Sequence, residues 1–426
     1  MHVDIIDTVE ELERLEPAWR AVHAADPEAH YFVSWPWMSY WLKTAIKQWI
    51  VLAARDQGDP SRHVAFLALR PLVGFKKGTG LVNELTVACH GMSIYNGLIC
   101  EPAADDHAIP ALARCLNDLP WAGLNLESFD ISERRFDLFQ AAFPAKIFKT
   151  TPLAHFEDAD GKDMGLCPSI ALPEDWESYL SHSLGSNTRQ KIRRFLRKTD
   201  AGEDFRISHA DTDTFARDLD ILLDLWGAMW DEEKGDEARE IKKVNRMMLT
   251  ACFEDGALYL PVMWRGDRPL GALAIVADDE KKAFLFKIAG RDETFTGPPP
   301  GFILHAHAIR HAIENGMRRY DFLPGNDAYK YTFGATDRRV RNVAIQTRNG
   351  RNLNKTLERR TLGRAVAMAD RLRQTGKLAE AERAYRQILD TEPGLQPAVL
   401  GLVTLLETKG DRRGAKKLMA SLPEST

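Results

Sequence analysis

The stretch Arg319-Tyr-Asp-Phe-Leu-Pro-Gly-Asn-Asp-Ala-Tyr-Lys-Tyr-Thr-Phe-Gly334 concentrates side chains that can move protons and hold anions. Asp321 lies among apolar residues, where loss of water raises a carboxylate's pKa and suits it to act as a general base. An aspartate bonding a backbone loop fits the same position equally well. Tyr329 has a phenol able to protonate a departing thiolate, with a packed aromatic as the competing reading. Lys330 follows a Pro-Gly break and adjoins Asp327, which suits it to a phosphate on a carrier molecule; a solvated surface lysine is the alternative. Asn326 is a neutral polar group in the same loop, placed to contact a substrate. Just upstream, Gly297-Pro-Pro-Pro-Gly301 opens a helix over 302–315. Three prolines remove three amide donors, leaving Gly301, Phe302, Ile303 and Leu304 to offer N–H groups to a phosphate at the helix start. Arg291 is a cation at the head of that loop. His305 sits one turn into the helix, as a base or as a core or surface histidine.

No metal is expected. His305 and His307 are two apart on a helix and point about 200° from one another. His307 and His311 share a face, but no carboxylate joins them at a ligand spacing. Five scattered cysteines without a CxxC spacing argue for a reducing compartment and against a disulfide frame or zinc ribbon. They also lack an evident histidine partner, which favours direct attack by an amine over a covalent enzyme intermediate.

These residues need a scaffold. A chain of 426 residues is long enough for two or three domains, and 44% hydrophobic with 28% charged content fits a soluble globular protein. No run of eighteen apolar residues predicts a membrane span, and the acidic start MHVDIIDTVEELERLE does not read as a secretory signal. A net charge of −4 gives no global nucleic-acid signal. Helix and strand patterns alternate through the first 150 residues, and the order recurs from Trp176 to Leu323. Two copies of one α/β plan are therefore expected, with one large sheet as the alternative. The strand Lys282–Gly290 immediately precedes the Gly/Pro loop, which makes it the candidate to offer a backbone amide to a reacting carbonyl. The helix Ser186–Lys198 carries Arg189, Lys191, Arg193, Arg194, Arg197 and Lys198 with Ile192, Phe195 and Leu196 between them. A solvated helix with one apolar stripe accounts for it, as does contact with a phosphate-rich substrate, an anionic membrane or tRNA. Arg189, Arg193 and Trp230 are the candidate substrate contacts.

At the C-terminus, Gly376 to Gly410 and Ala381 to Ala415 each span 34 residues. This looks like tetratricopeptide repeats, with small residues where paired helices cross. Two such units bury little surface alone, so they are expected to dock on the main body, on each other in a dimer, or on a protein partner. The proposed division is 1–165, 166–345, a linker at 346–361, and repeats at 362–426.

Pro299-Pro300-Gly301-x-Ile303-Leu304, a helix ending at Asn315-Gly316, and Tyr320-Asp321-Phe322-Leu323-x-Gly325-x-x-x-Tyr329-Lys330 together resemble the bacterial GNAT-like family of CelD-type cellulose and exopolysaccharide proteins, relatives of the Fem aminoacyltransferases. Trp19, Phe32–Trp41, Leu69-Arg-Pro-Leu72 and Arg189-x-Lys-Ile-Arg-Arg194 agree upstream. The resemblance covers about residues 1–345. It implies an α/β (α+β) fold of tandem GNAT-like domains, to which the helical repeats are an extension. It also implies N-acyl transfer from acyl-CoA as co-substrate to a small-molecule amine of an envelope, exopolysaccharide or lipid precursor. The alternatives are an aminoacyl-tRNA-dependent Fem-type transferase and a non-catalytic adaptor. A cytoplasmic location with peripheral contact at an anionic inner membrane follows, and no nucleic-acid partner is expected on the main reading. Common GNAT acetyltransferases carry Arg/Gln-x-x-Gly-x-Gly/Ala at the pyrophosphate loop. Arg291-Asp-Glu-Thr-Phe-Thr-Gly297 lacks that glycine pair.

Overall fold

A computed structural model describes residues 1–153, 161–202 and 204–420, with the side chains of 231–234 excepted. It divides into two compact units, Met1–Glu28 with Met38–Ala154 and Arg341–Thr426, and Ala29–Trp37 with His155–Val340.

In the first unit the sheet runs Val3–Ile6, Ile50–Arg55, His63–Lys76, Gly80–Val87, Gly123–Phe129, Arg341–Thr347, Phe148–Pro152, and Ile99–Cys100 pairs off the third strand. Every neighbour is antiparallel except Gly80–Val87 with Gly123–Phe129. That parallel step needs a crossover, and the helix Asp105–Leu116 supplies it. Its Ala108, Ile109 and Leu112 are buried on the strands' apolar face beside Leu67, Leu85 and Leu124. Arg135 is a buried cation in this unit, and it is matched by carboxylates. Its guanidinium donates to Asp26 at 2.8 and 2.9 Å, to Asp105 at 3.1 Å and to the Cys100 carbonyl at 3.0 Å.

The second unit repeats the order. Its sheet runs Thr336–Arg339, Leu166–Ala171, Arg319–Asp321, Ala283–Arg291, Arg268–Asp278, Pro261–Arg265, Arg206–His209. Again a single parallel pair, Ala283–Arg291 with Arg319–Asp321, is bridged by a crossover helix, Pro300–Glu314. That helix packs on one face of the sheet with Trp176–His182 and Ser186–Ala201; the helix Phe215–Lys234 covers the other. The helix expected at Ser186–Lys198 runs Ser186–Ala201, and a separate helix, Trp176–His182, precedes it.

The expected domain limits differ from these units: residues 161–165 group with the second unit, and 346–420 group with the first instead of standing apart. The strand Arg341–Thr347 begins inside 166–345, yet it pairs with Gly123–Phe129 and Phe148–Pro152. Ala29–Trp37 groups with the second unit. Periodicity identifies a strand but not the strand beside it.

The C-terminal segment forms four helices, Leu362–Gln374, Leu378–Thr391, Gln396–Thr408 and Arg412–Met419; residues 421–426 lie outside the described residues. Ala381 and Ala415, 34 residues apart, are both buried, and a Cβ at Gly401 would sit 2.5 Å from the Tyr385 ring. Small residues therefore stand where the helices cross. The helices dock on the hairpin of the first sheet. Gln387 accepts from the Leu81 N–H at 2.8 Å and donates to the Leu81 carbonyl at 3.2 Å, acting as one more rung on that strand. Gln387→Ala removes both bonds from a half-buried strand end. It is expected to cost about 1–2 kcal/mol in denaturant unfolding and to speed proteolytic release of the four helices.

Candidate active site

The second sheet opens at its parallel pair. Ala283, Phe284 and Leu285 are in register with Arg319, Tyr320 and Asp321, and there the pairing ends. Among the described residues, the stretch from Phe286 to Arg291 is paired on one side only, to Arg268–Asp278. A register shift on that side, Ala274 opposite Ile288 and Ile275 opposite Phe286, leaves Lys287 as an extra residue. The strand is therefore both bulged and splayed, with backbone amides along an unpaired edge. Burial pushes the pKa of the half-buried Lys287 down to about 8.

The chain leaves the sheet through a tight turn after Asp321. Leu323 takes a left-handed conformation (φ 60°) and Gly325 a φ of 101°, which only glycine adopts readily. Asp321 is fully buried; one oxygen accepts from the Leu323 N–H at 2.8 Å, the other from the Arg338 guanidinium at 3.0 Å. This carboxylate holds the turn and has no face toward a substrate, so the general-base reading of Asp321 is replaced by a structural one. Lys330 is corrected in the same way. Its ammonium is buried and donates to three carbonyls, Leu323 at 3.3 Å, Pro324 at 2.9 Å and Gly325 at 2.7 Å, with Asp327 at 3.3 Å. An ammonium has three protons, so none remains for a phosphate. Burial lowers its pKa, and Asp327 partly opposes that. Asn326 Oδ1 accepts from the Asp163 N–H at 3.1 Å, tying the loop to a distant segment of the chain.

Tyr329 is the exception in this loop, 41% exposed. Its ring meets His305 at 5.6 Å and Phe322 at 6.1 Å; Phe322 lies 6.5 Å from Phe286 and His305 4.6 Å from Phe286. The phenol thus stands at the lip of the aromatic cluster where the two strands part. Burial raises its pKa, so it holds its proton at neutral pH and acts as a donor. His305 is a core residue beneath it. Nδ1 shares a hydrogen bond with the Tyr320 hydroxyl at 2.8 Å. Burial, helped by the Lys330 charge, pushes its pKa down to about 3.

The crossover helix brings its first turn to the same place. Phe302 lies 5.1 Å from Phe333, three residues beyond Lys330. Of the four expected amide donors, Ile303 bonds the Pro299 carbonyl at 3.2 Å, and Leu304 is fully buried a turn inside the helix. Gly301 and Phe302 remain, and a Cβ built on Gly301 meets no atom within 4 Å. Phe302 is covered by a cation that the sequence reading passed over in favour of its neighbours: Lys191 Nζ stands 4.6 Å above the ring. Its signal is its position four residues before Phe195, itself 6.5 Å from Phe302. Arg193 is exposed and ion-paired with Glu177, and Arg189 is half-buried on the same helix. Arg291 pairs with Glu293 at 3.0 Å, and Arg268 with Asp292, so the loop's charges meet one another. Trp230 is half-buried in the helix Phe215–Lys234, whose backbone at Leu222 and Trp226 lies against Gly290.

Among the described residues no group of three His, Cys, Asp or Glu is arranged to hold a metal, and no helix is long and apolar enough to cross a membrane. Residues 186–331 match a family model described as an acetyltransferase (GNAT) domain. Among solved structures the chain is similar to FemX, at 12% identity and TM-score 0.55 over 82% of this chain and 98% of that one. It is also similar to L-PGS from Bacillus licheniformis (10%, TM-score 0.41, 70% and 84% covered). A third is a tandem GNAT protein from the clavulanic acid pathway (13%, TM-score 0.39, 81% and 98% covered). At such identities a likeness shows the fold alone. No curated protein matches the chain. With the repeated strand order, the fold is mixed α/β, two GNAT-like halves and a C-terminal helical extension.

Two outcomes are expected from the buried groups. Lys330→Met strands three carbonyls and should cost about 3 kcal/mol in chemical denaturation. In the unfolded chain His305 takes a proton near pH 6.5, in the folded chain only near 3. Acid therefore favours unfolding: the stability this imidazole contributes is complete above pH 6.5 and declines toward pH 3. One such group lowers stability by about 2 kcal/mol between pH 6.5 and 5. His305→Phe should remove about one proton from the slope of stability against pH in that window.

Proposed function

We propose that this protein is an N-acyltransferase whose reaction takes place at the splayed edge of the second sheet. The observation that carries this reading is the loss of pairing beyond Leu285 and Asp321, which leaves amides of the bulged strand free to face a carbonyl. A neutral amine attacks the activated carbonyl, and the oxygen that gains charge is met by a strand amide. An oxyanion donor of this kind contributes on the order of 10²–10³-fold. Tyr329, protonated and exposed at the lip, gives its proton to the leaving group, and the proton that the attacking amine loses passes to solvent, from which the phenol is restored. The anionic part of the donor lies on the amides of Gly301 and Phe302 with Lys191 beside it. Acyl-CoA is the donor that fits a short anion site next to a carbonyl site. The acceptor is the amine of an envelope, exopolysaccharide or lipid precursor, by the resemblance of the motifs around 299–330.

One observation favours a second reading. Lys191, Arg194, Arg197 and Lys198 are exposed along one helix, and among the described residues none has a carboxylate within ion-pair distance. A row of unpaired cations suits a polyanion, so aminoacyl-tRNA is the alternative donor.

The test is intact-mass analysis of products from a panel of acyl-CoA thioesters and aminoacyl-tRNAs mixed with amine acceptors. Transfer from a thioester supports the first reading, transfer from tRNA alone the second, and no transfer from any donor contradicts both. Gly301→Asp isolates the anion site. Open space around Gly301 and an acidic group at a helix N-terminus leave folding intact or slightly stabilised. Its carboxylate repels the donor, so KM for the donor should rise about tenfold or more with the melting temperature unchanged or higher.

A further inference from the structure

The first unit places a buried guanidinium nitrogen and a buried hydroxyl, both without a partner, on two paired strands. Arg70 and Thr86 are directly opposed across the antiparallel pair His63–Lys76 and Gly80–Val87, so both side chains stand on one face of the sheet. Asn125 follows in register on the next strand. Arg70 Nε and Thr86 Oγ1 are both buried without a hydrogen-bond partner, and Thr86 is only 3% exposed. The charged group acting on Arg70 is another arginine, Arg364, from the helix Leu362–Gln374 packed against that strand. Burial and this like charge both lower the Arg70 pKa. Nearby carboxylates on the face are already matched, Glu84 with Lys76 at 3.2 Å and Glu127 with His90 at 2.7 Å.

Buried polar atoms without a partner are uncommon in folded proteins and call for an explanation. Arg364 sits on a helix packed against the Arg70 strand, like charges on neighbouring elements repel, and each guanidinium is a fork suited to an oxyanion. We infer that Arg70, Thr86 and Arg364 form a binding site for a phosphate group. Donors arrive from two neighbouring strands and a helix, which suits a tetrahedral oxyanion better than a flat carboxylate. Two positive charges match a doubly charged phosphate. The site belongs to the first unit and does not rest on the acyl-transfer reading.

Titration calorimetry and thermal melts with inorganic phosphate, a sugar phosphate and a chloride control at constant ionic strength test it. Phosphate should bind with Kd of about 1 mM or tighter and raise the melting temperature. Tighter binding of the free ion or of the ester tells which one the site takes. Thr86→Val exchanges an unpartnered buried hydroxyl for a methyl group. It should melt at the same temperature as the parent or higher without ligand, yet bind phosphate at least about fivefold more weakly. Arg364→Gln, at an exposed position, should weaken binding about tenfold or more. The inference is overturned if phosphate gives no shift beyond chloride. It is equally overturned if Thr86→Val and Arg364→Gln bind phosphate as the parent does, or if Thr86→Val is destabilised without ligand.

Discussion

One ammonium decides where the second sheet comes apart. Left alone, Arg319–Asp321 would continue beside its parallel neighbour and close the edge. Instead the carbonyls of Leu323, Pro324 and Gly325 turn inward onto Lys330, and Asp321 ties the Leu323 amide from the other side. A positive φ at Leu323 has a cost for a side chain with a Cβ, and these buried bonds offset it. The diverted chain then lays Tyr329 and Phe333 against His305 and Phe302 of the crossover helix. The turn is held by one satisfied cation, and the rings that follow it meet the start of the crossover helix.

Much of the scaffold was legible because it is periodic. The strand Lys282–Gly290 and the helix over 302–315 are found at Ala283–Arg291 and Pro300–Glu314, and the alternation of helix and strand patterns carries the recurrence of one order in both halves. Strand partners were not legible. Arg341–Thr347 reads as a strand in isolation, yet it joins a sheet whose other members end nearly two hundred residues earlier, and nothing local encodes that choice.

In the candidate site, the types of the residues were legible and their hydrogen-bond partners were not. Asp321, Lys330 and Asn326 are polar groups at a strand end, which is the pattern of a ligand loop and equally of a loop satisfying its own backbone. Only the directions of the carbonyls separate the two, and those depend on dihedrals such as that of Leu323. Tyr329 and Gly301 differ because the fold leaves them open. Lys191 belonged to a basic helix evident from composition, but its place over Phe302 depends on how two helices cross. Arg70 shows the same limit: a strand arginine looks ordinary until its Nε proves to be buried without a partner opposite Thr86.

The claim that matters most is that the edge from Phe286 to Arg291 receives a reacting carbonyl. A crystal structure with a non-reactive acyl-CoA analogue, its thioester replaced by a thioether ketone, addresses it directly. The account requires the carbonyl oxygen within hydrogen-bond distance of an amide of that edge, with the pyrophosphate at Gly301 and Phe302. An analogue bound elsewhere, or an edge filled by the protein's own backbone, contradicts it.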